Sequence, residues 1–303
     1  MSFWEVLIQQ FINGLTTGSF YALVALGYSM VYGIIKLLNF AHGDIYMVGA
    51  FSCVISFGVL SAFAPGAGGV ILSILAAMIL AGALGYCSQR FAYRPLLGAP
   101  RLSLLITAIG VSLILSNTVM VLTNARPVTN EIRDIFVGFM QIGGVRIAYT
   151  KIILIAVSAA IMIALSLFIG RTMTGKAMRA IALDKDACRL MGVNVNKIIG
   201  LTFIIGSALA AVAGGLFCID TGTTVQFSMG FMIGIKAFTA AVIGGIGSIP
   251  GAMLGGLLLG VLEAMGTQMF GSAWQDVFAF GILILILIFK PNGLLGRTEI
   301  ERM

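Results

Sequence analysis

Four charged side chains stand inside or beside long apolar runs of this chain: Lys36, Asp44, Lys236 and Glu263. A charge at the centre of a bilayer costs roughly 2.5–3.5 kcal/mol on insertion scales, so such residues pair, line a wet path, or reach an interface. Lys36 has the stem to snorkel, and Asp44 sits beside an expected helix start; both suit an interface. Lys236 either reaches the outer interface or pairs with Glu263. His42 is the single histidine. Without Cys, Asp or Glu companions at ligand spacing it makes no metal site, and no nucleophile–base pair accompanies it, so no catalytic residue is assigned. Asn39 is expected to cap a helix whose first turn carries Asp44. A half-helix N-terminus in mid-membrane would also suit an anionic carboxylate. The stretch Gly244-Gly245-Ile246-Gly247-Ser248-Ile249-Pro250-Gly251 is glycine-rich, but it lacks the Lys of a phosphate-binding loop, and the chain has no such loop for ATP.

These residues must be held by membrane helices. Of 303 residues, 59% are hydrophobic and 10% charged, against about 25% charged in soluble domains. The mean hydropathy is +1.08. So few charges cannot coat a soluble surface, which excludes a secreted scaffold, a soluble enzyme and a nucleic-acid partner, despite the net charge of +7. Cys53, Cys87, Cys188 and Cys218 show no C-x-x-C spacing and read as buried thiols. A span needs about 20 apolar residues. Candidates are 6–35, 45–89 as two spans turning at 64–69, 102–123, 152–170, 198–219, 230–243, 252–262 and 277–289. That makes an all-α polytopic bundle of nine segments, or eight if one is re-entrant, in a single membrane domain over 1–303. The breaks at Asn39–Asp44 and Gly244–Gly251 give it weak inverted-repeat character. Asn39, His42, Gly43, Asp44, Gly244, Gly245, Gly247 and Ser248 either form ordinary interfacial turns or line a transport path.

Charge sets the sides. Loop 90–101 holds Arg90, Arg94 and Arg101 with no acid, and loop 171–197 holds six basic residues against Asp184 and Asp186. Two spans separate these loops, so both are expected in the cytoplasm. The C-terminal segment with Lys290, Arg297 and Arg302 then falls on the same side, and the N-terminus outside. Loop 124–151, with four basic and two acidic residues, lies outside against the rule.

Within 171–197 a short amphipathic helix is expected. Leu183, Ala187, Leu190 and Met191 share a face, Lys185, Asp186 and Arg189 point elsewhere, Asp184 caps the start and Gly192 the end. A lipid-surface helix carries a strongly basic polar face. This one is mixed, which favours docking on a partner.

The run Gly18–Gly49 resembles the permease of branched-chain amino-acid ABC importers, the Liv-type H-subunit family. So do Ala182–Leu216, Gly234–Gly260 and the ending from Pro291 to Glu299. The resemblance covers nearly the whole chain. It implies a permease paired with a second, homologous permease in a bacterial inner membrane. Two cytoplasmic ATPases would hold ATP and Mg, leaving no cofactor here, and a periplasmic protein would deliver the substrate. It also implies that Ala182, Asp184, Ala187 and Gly192 mark the helix that docks on the ATPase, with Lys185, Arg189 and Leu190 between them; the Ala-to-Gly spacing is one residue longer than the family pattern. The breaks would line or gate the path. Permeases for urea or short amides are similar, so they are one alternative. An ion-coupled secondary transporter is another, but spans 102–123, 152–170 and 198–219 lack the charge its coupling ion needs.

Overall fold

The computed structural model describes residues 2–96, 98–220 and 224–296. Arg297 and Arg302 lie outside the described residues, as does the side chain of Arg101. Eight described helices are long and apolar enough to cross a membrane, and a ninth apolar helix is shorter. In order these are α1 (Phe3–Ile35), α2 (His42–Leu60), α3 (Ala67–Cys87), α4 (Arg101–Leu122) and α5 (Tyr149–Arg171). Two short helices, α6 (Met173–Leu183) and α7 (Lys185–Leu190), follow. Then come α8 (Val195–Asp220), the shorter α9 (Met229–Gly244), α10 (Ile249–Phe270) and α11 (Gln275–Phe289).

The centre is built from α1 and α8, whose membrane windows are 89% and 78% buried, whereas α4 and α11 are 11% and 6% buried and form the rim. Lipid is as apolar as Leu, so close backbone approach must hold such a bundle, and small residues permit it. In α1, Gly14 and Gly18 recur four apart against Gly256 and Gly260 of α10. A methyl group at Gly18 would meet Leu257 Cα at 2.8 Å and Gly256 O at 2.9 Å. Those atoms are backbone and cannot step aside. Gly18→Val is therefore expected to cost at least the 1–3 kcal/mol or so of ordinary overpacking, read as a lower thermal midpoint of the purified chain. On the other side, Gly49 of α2 and Gly85 of α3 receive Ala211 and Ser207 of α8.

The N-terminal end of α1 carries a capping box, with Ser2 and Glu5 exchanging hydrogen bonds of 3.3 and 2.7 Å. The same end holds a hairpin of β2 (Phe139–Ile142) and β3 (Val145–Ala148), whose Gly144 N–H donates to Glu5 Oε1 at 3.2 Å. A two-residue pairing of β1 (Val128–Thr129) with β4 (Thr224–Val225) ties the connections after α4 and α8 together. At the opposite end lie α6, α7 and the described segment 290–296. With eight helices of spanning length and the shorter α9, the first and last described segments lie at opposite ends of the bundle.

Two sequence expectations, the span end at Leu262 and four buried thiols, are corrected, and the break at Gly244–Gly251 is packed by the chain itself. The segment expected to stop at Leu262 runs on to Phe270, because Glu263 is neutralised inside the bundle and need not end the span. The Gly244–Gly251 break is a packed turn: Leu294 and Leu295 N–H groups donate to the carbonyls of Ile243 and Gly244 at 2.8 and 2.9 Å, and Gly245 is covered by Gly293 and Gly296. Of the four cysteines, Cys87 is exposed and the others are buried.

Candidate functional site

Three places gather the polar residues of this apolar chain. The first is a junction of two helix starts inside the bundle. Helix α1 ends at Lys36 in the left-handed conformation, φ 54°. The chain turns back over 36–41, and α2 begins at His42 against Gly27, eight residues or about 12 Å short of the end of α1. Helix α9 begins beside it. The backbones of Gly43, Gly230 and Gly234 touch, and a methyl group at Gly43 would meet Gly234 Cα at 2.6 Å. Asp44, 3% exposed, lies in the first turn of α2 beside Gly230 and accepts a hydrogen bond from Ser112 of α4. Two positive helix ends and a hydroxyl therefore offset the burial of one carboxylate.

Asn39 does not cap α2, whose N-cap Ala41 makes no side-chain bond. Its Oδ1 instead accepts from the Tyr93 hydroxyl at 2.6 Å. Tyr93 is brought there by a π-helical turn, Ser88–Tyr93, that extends α3. His42 is buried edge-to-face on Tyr28 with ring centroids 4.9 Å apart, and its Nε2 has no partner among the described residues. The Gly244–Gly251 turn is elsewhere. Gly247 packs near Gly33, at the far end of α1, so the structure does not bring the two breaks into one lining.

The second place is an ion cluster near the opposite end of α10. Lys236 of α9, 7% exposed, donates to Glu263 of α10 at 2.5 Å and pairs with Asp276 of α11 at 2.8 Å. Gln275 donates to the same Glu263 oxygen at 2.5 Å. Of the two sequence alternatives for Lys236, the paired one is what the structure shows. Asp276 and Gln275 had been missed. The available signal was an acid at the very start of the last span, which reads equally well as an interfacial residue.

The third place is the tip between α6 and α8. The amphipathic helix expected between Asp184 and Gly192 is α7; α6 precedes it and carries Leu183, and the backbone between them is extended at Asp184, with φ −150° and ψ 111°. Asp184 caps α7, accepting from the N–H groups of Asp186 and Ala187 at 2.8 and 2.9 Å. Gly192 ends it with φ 81°, a conformation glycine adopts freely. Leu183, Ala187, Leu190 and Met191 are all exposed, the last two at 92% and 84%, while Cys188 turns inward. Arg189 pairs with Asp186 at 2.9 Å. Lys185, half-buried, has its pKa lowered by burial and by the charge of Arg189. Ala182 lines a small apolar cavity at the base of this tip. A capped, rigid projection that presents leucine and methionine with few charges is suited to insertion into a protein groove.

The chain is a glycine-packed bundle of membrane-length helices that bears this projection. Its fold matches a solved structure described as a metal-chelate-type ABC transporter in an inward-facing conformation, with a TM-score of 0.52 at 15% identity over 96% of this chain and 89% of that one. The chain belongs to the family described as the permease component of the branched-chain amino acid transport system, whose profile matches residues 10–287. It is 50% identical to the high-affinity branched-chain amino acid transport system permease protein BraD of Pseudomonas aeruginosa PAO1, over 98% of both chains. It is 42% identical to LivH of Escherichia coli K12, over 98% of this chain and 97% of that one. It is also 29% identical to LivM of Escherichia coli K12, over 49% of this chain and 36% of that one. The chain is thus a multi-span transport component.

Proposed function

We propose that this chain is the transmembrane permease subunit of an ATP-driven importer of branched-chain amino acids. The near full-length similarity to BraD and LivH carries this reading. The end bearing α6, α7 and the C-terminal segment faces the cytoplasm of a bacterial inner membrane, because the basic loops 90–101 and 171–197 gather there. A second, homologous permease completes the path; similarity to both LivH and LivM, two permease proteins of one kind of transport system, supports that pairing. ATP and Mg belong to two partner ATPases, and a periplasmic binding protein brings the substrate.

In this mechanism the tip Lys185–Gly192 docks in a groove of an ATPase. Closure of the ATPase pair pushes the tip, and α6 and α8 transmit the movement as levers to the bundle. Only binding that differs between outward- and inward-open states shifts their balance, so ATP must favour one and ADP the other. Asp44, held by two helix starts, stands beside the path.

Reconstitution tests the reading. Leucine uptake into vesicles is expected to require ATP, the ATPases and the binding protein, and to be unchanged when proton and sodium gradients are collapsed. Uptake driven by a gradient without ATP would make the chain a secondary transporter, and uptake of urea in place of leucine would assign it to the amide permeases.

A further inference from the structure

A cavity of about 760 Å³ opens where the π-helical turn after α3 meets the starts of α6 and α8. That volume is typical of a small-molecule site. Its polar part is formed by Gln89, Arg94, Asn196 and Lys197, with no acidic residue among those lining it. Neither Arg94 nor Lys197 joins an ion pair among the described residues. Gln89 is 2% exposed and its amide nitrogen has no hydrogen-bond partner there. Two cations with no acid beside them call for an anion. The start of α8 adds the positive end of a 26-residue helix, fixed by Asn194 Oδ1 accepting from the Lys197 N–H at 3.0 Å.

The remaining wall is apolar, with Tyr86, Leu201 and Ile204. Tyr86 is 45% exposed on the flank of α3, a helix only 33% buried, so the cavity opens on a flank that this chain leaves uncovered. A free inorganic anion would leave this wall without a partner, while a diacyl lipid fills both parts. Basic pockets between membrane helices on the cytoplasmic side are known to hold anionic headgroups.

We propose that the cavity between the π-helical turn of α3 and the start of α8 binds the phosphodiester headgroup of an anionic phospholipid. Arg94 and Lys197 hold the phosphate, and Tyr86, Leu201 and Ile204 lie along the acyl chains. Val193, Asn194 and Asn196, which follow the docking tip directly, line the same cavity, so the lipid braces the hinge on which that tip moves. The choice of leaflet and the link to the docking tip rest on the function proposed above, while lipid binding itself does not.

Native mass spectrometry of the full-length chain, purified in detergent and exposed to phosphatidylglycerol or phosphatidylethanolamine, tests this without any uptake measurement. The two readings therefore fail separately. Phosphatidylglycerol is expected to be retained preferentially. Each cation near the surface contributes about 1 kcal/mol, so Lys197→Gln is expected to weaken retention about fivefold and Arg94→Gln with Lys197→Gln on the order of 30-fold. The charge-preserving pair Arg94→Lys and Lys197→Arg should stay within a few-fold of wild type. Lys197 is exposed, so its substitution leaves the fold intact and the single variant decides even where the double one does not fold. Equal retention of both lipids, or unchanged retention in Lys197→Gln, overturns the proposal. Displacement of the lipid by inorganic phosphate would identify a free-anion site instead, and displacement by leucine would place the cavity on the substrate path; either also overturns it.

Discussion

Lys236→Met is expected to be the most damaging single substitution in the chain. The lysine is shared by two carboxylates, and Met keeps its length while removing its charge. Glu263, 2% exposed, would be left buried without its cation. Breaking a buried pair by removing one partner costs about 3–5 kcal/mol, because the remaining charge stays uncompensated. Asp276 adds less, since its side chain is 47% exposed and water already screens it. The loss should appear as a lower thermal midpoint in detergent and as earlier proteolysis around α11, whose membrane window is only 6% buried. Adding Glu263→Gln should recover a large part of the loss, since no charge then stays buried at full depth. A Lys236→Met chain that melts like wild type would show that the cluster does not hold α11.

Leu190→Asp should have the largest effect on transport with the smallest effect on the fold. Leu190 is 92% exposed, so folding gains little from it, yet it stands at the centre of the apolar tip. A carboxylate there must be desolvated when the tip enters a groove, and truncation or charge at such an anchor commonly costs 2 kcal/mol or more of binding, roughly 30-fold in affinity. Co-purification of the ATPases and leucine uptake should fall together, while membrane insertion and thermal midpoint remain as in wild type. Reversing the Asp186–Arg189 pair by exchanging the two residues should do much less, because both are exposed. If Leu190→Asp left uptake and ATPase association untouched, the tip would not be the docking element.

Local chemistry was readable from the residue order, and long-range pairing was not. Asp184 and Gly192 act within one turn of their own backbone, so the cap and the left-handed stop followed from residue type alone. Most spans followed from charge-free runs for the same reason. Asn39 has the cap residue's chemistry, but its acceptor is taken by Tyr93, 54 positions further on and placed by a π-helical turn that no local pattern announces. Glu263 looked like the end of a span because its partner lies 27 positions earlier, and the third member of the cluster lies beyond the next turn. The glycines of Gly244–Gly251 signalled a break correctly. They gave no sign that the chain's own C-terminal segment would fill it.

That filling sets an order of assembly. The carbonyls of Ile243 and Gly244 close α9 only by accepting from Leu294 and Leu295, some fifty residues later in synthesis. A ribosome that has delivered α9 and α10 to the membrane has therefore delivered a helix with an unfinished end. It stays unfinished until α11 has crossed and the strap at 290–296 has left the exit tunnel. Completion of that end of the bundle is thus tied to completion of the chain, and a transcript shortened by a few codons before Leu294 would yield a protein with its long apolar helices and no latch to hold the turn between α9 and α10.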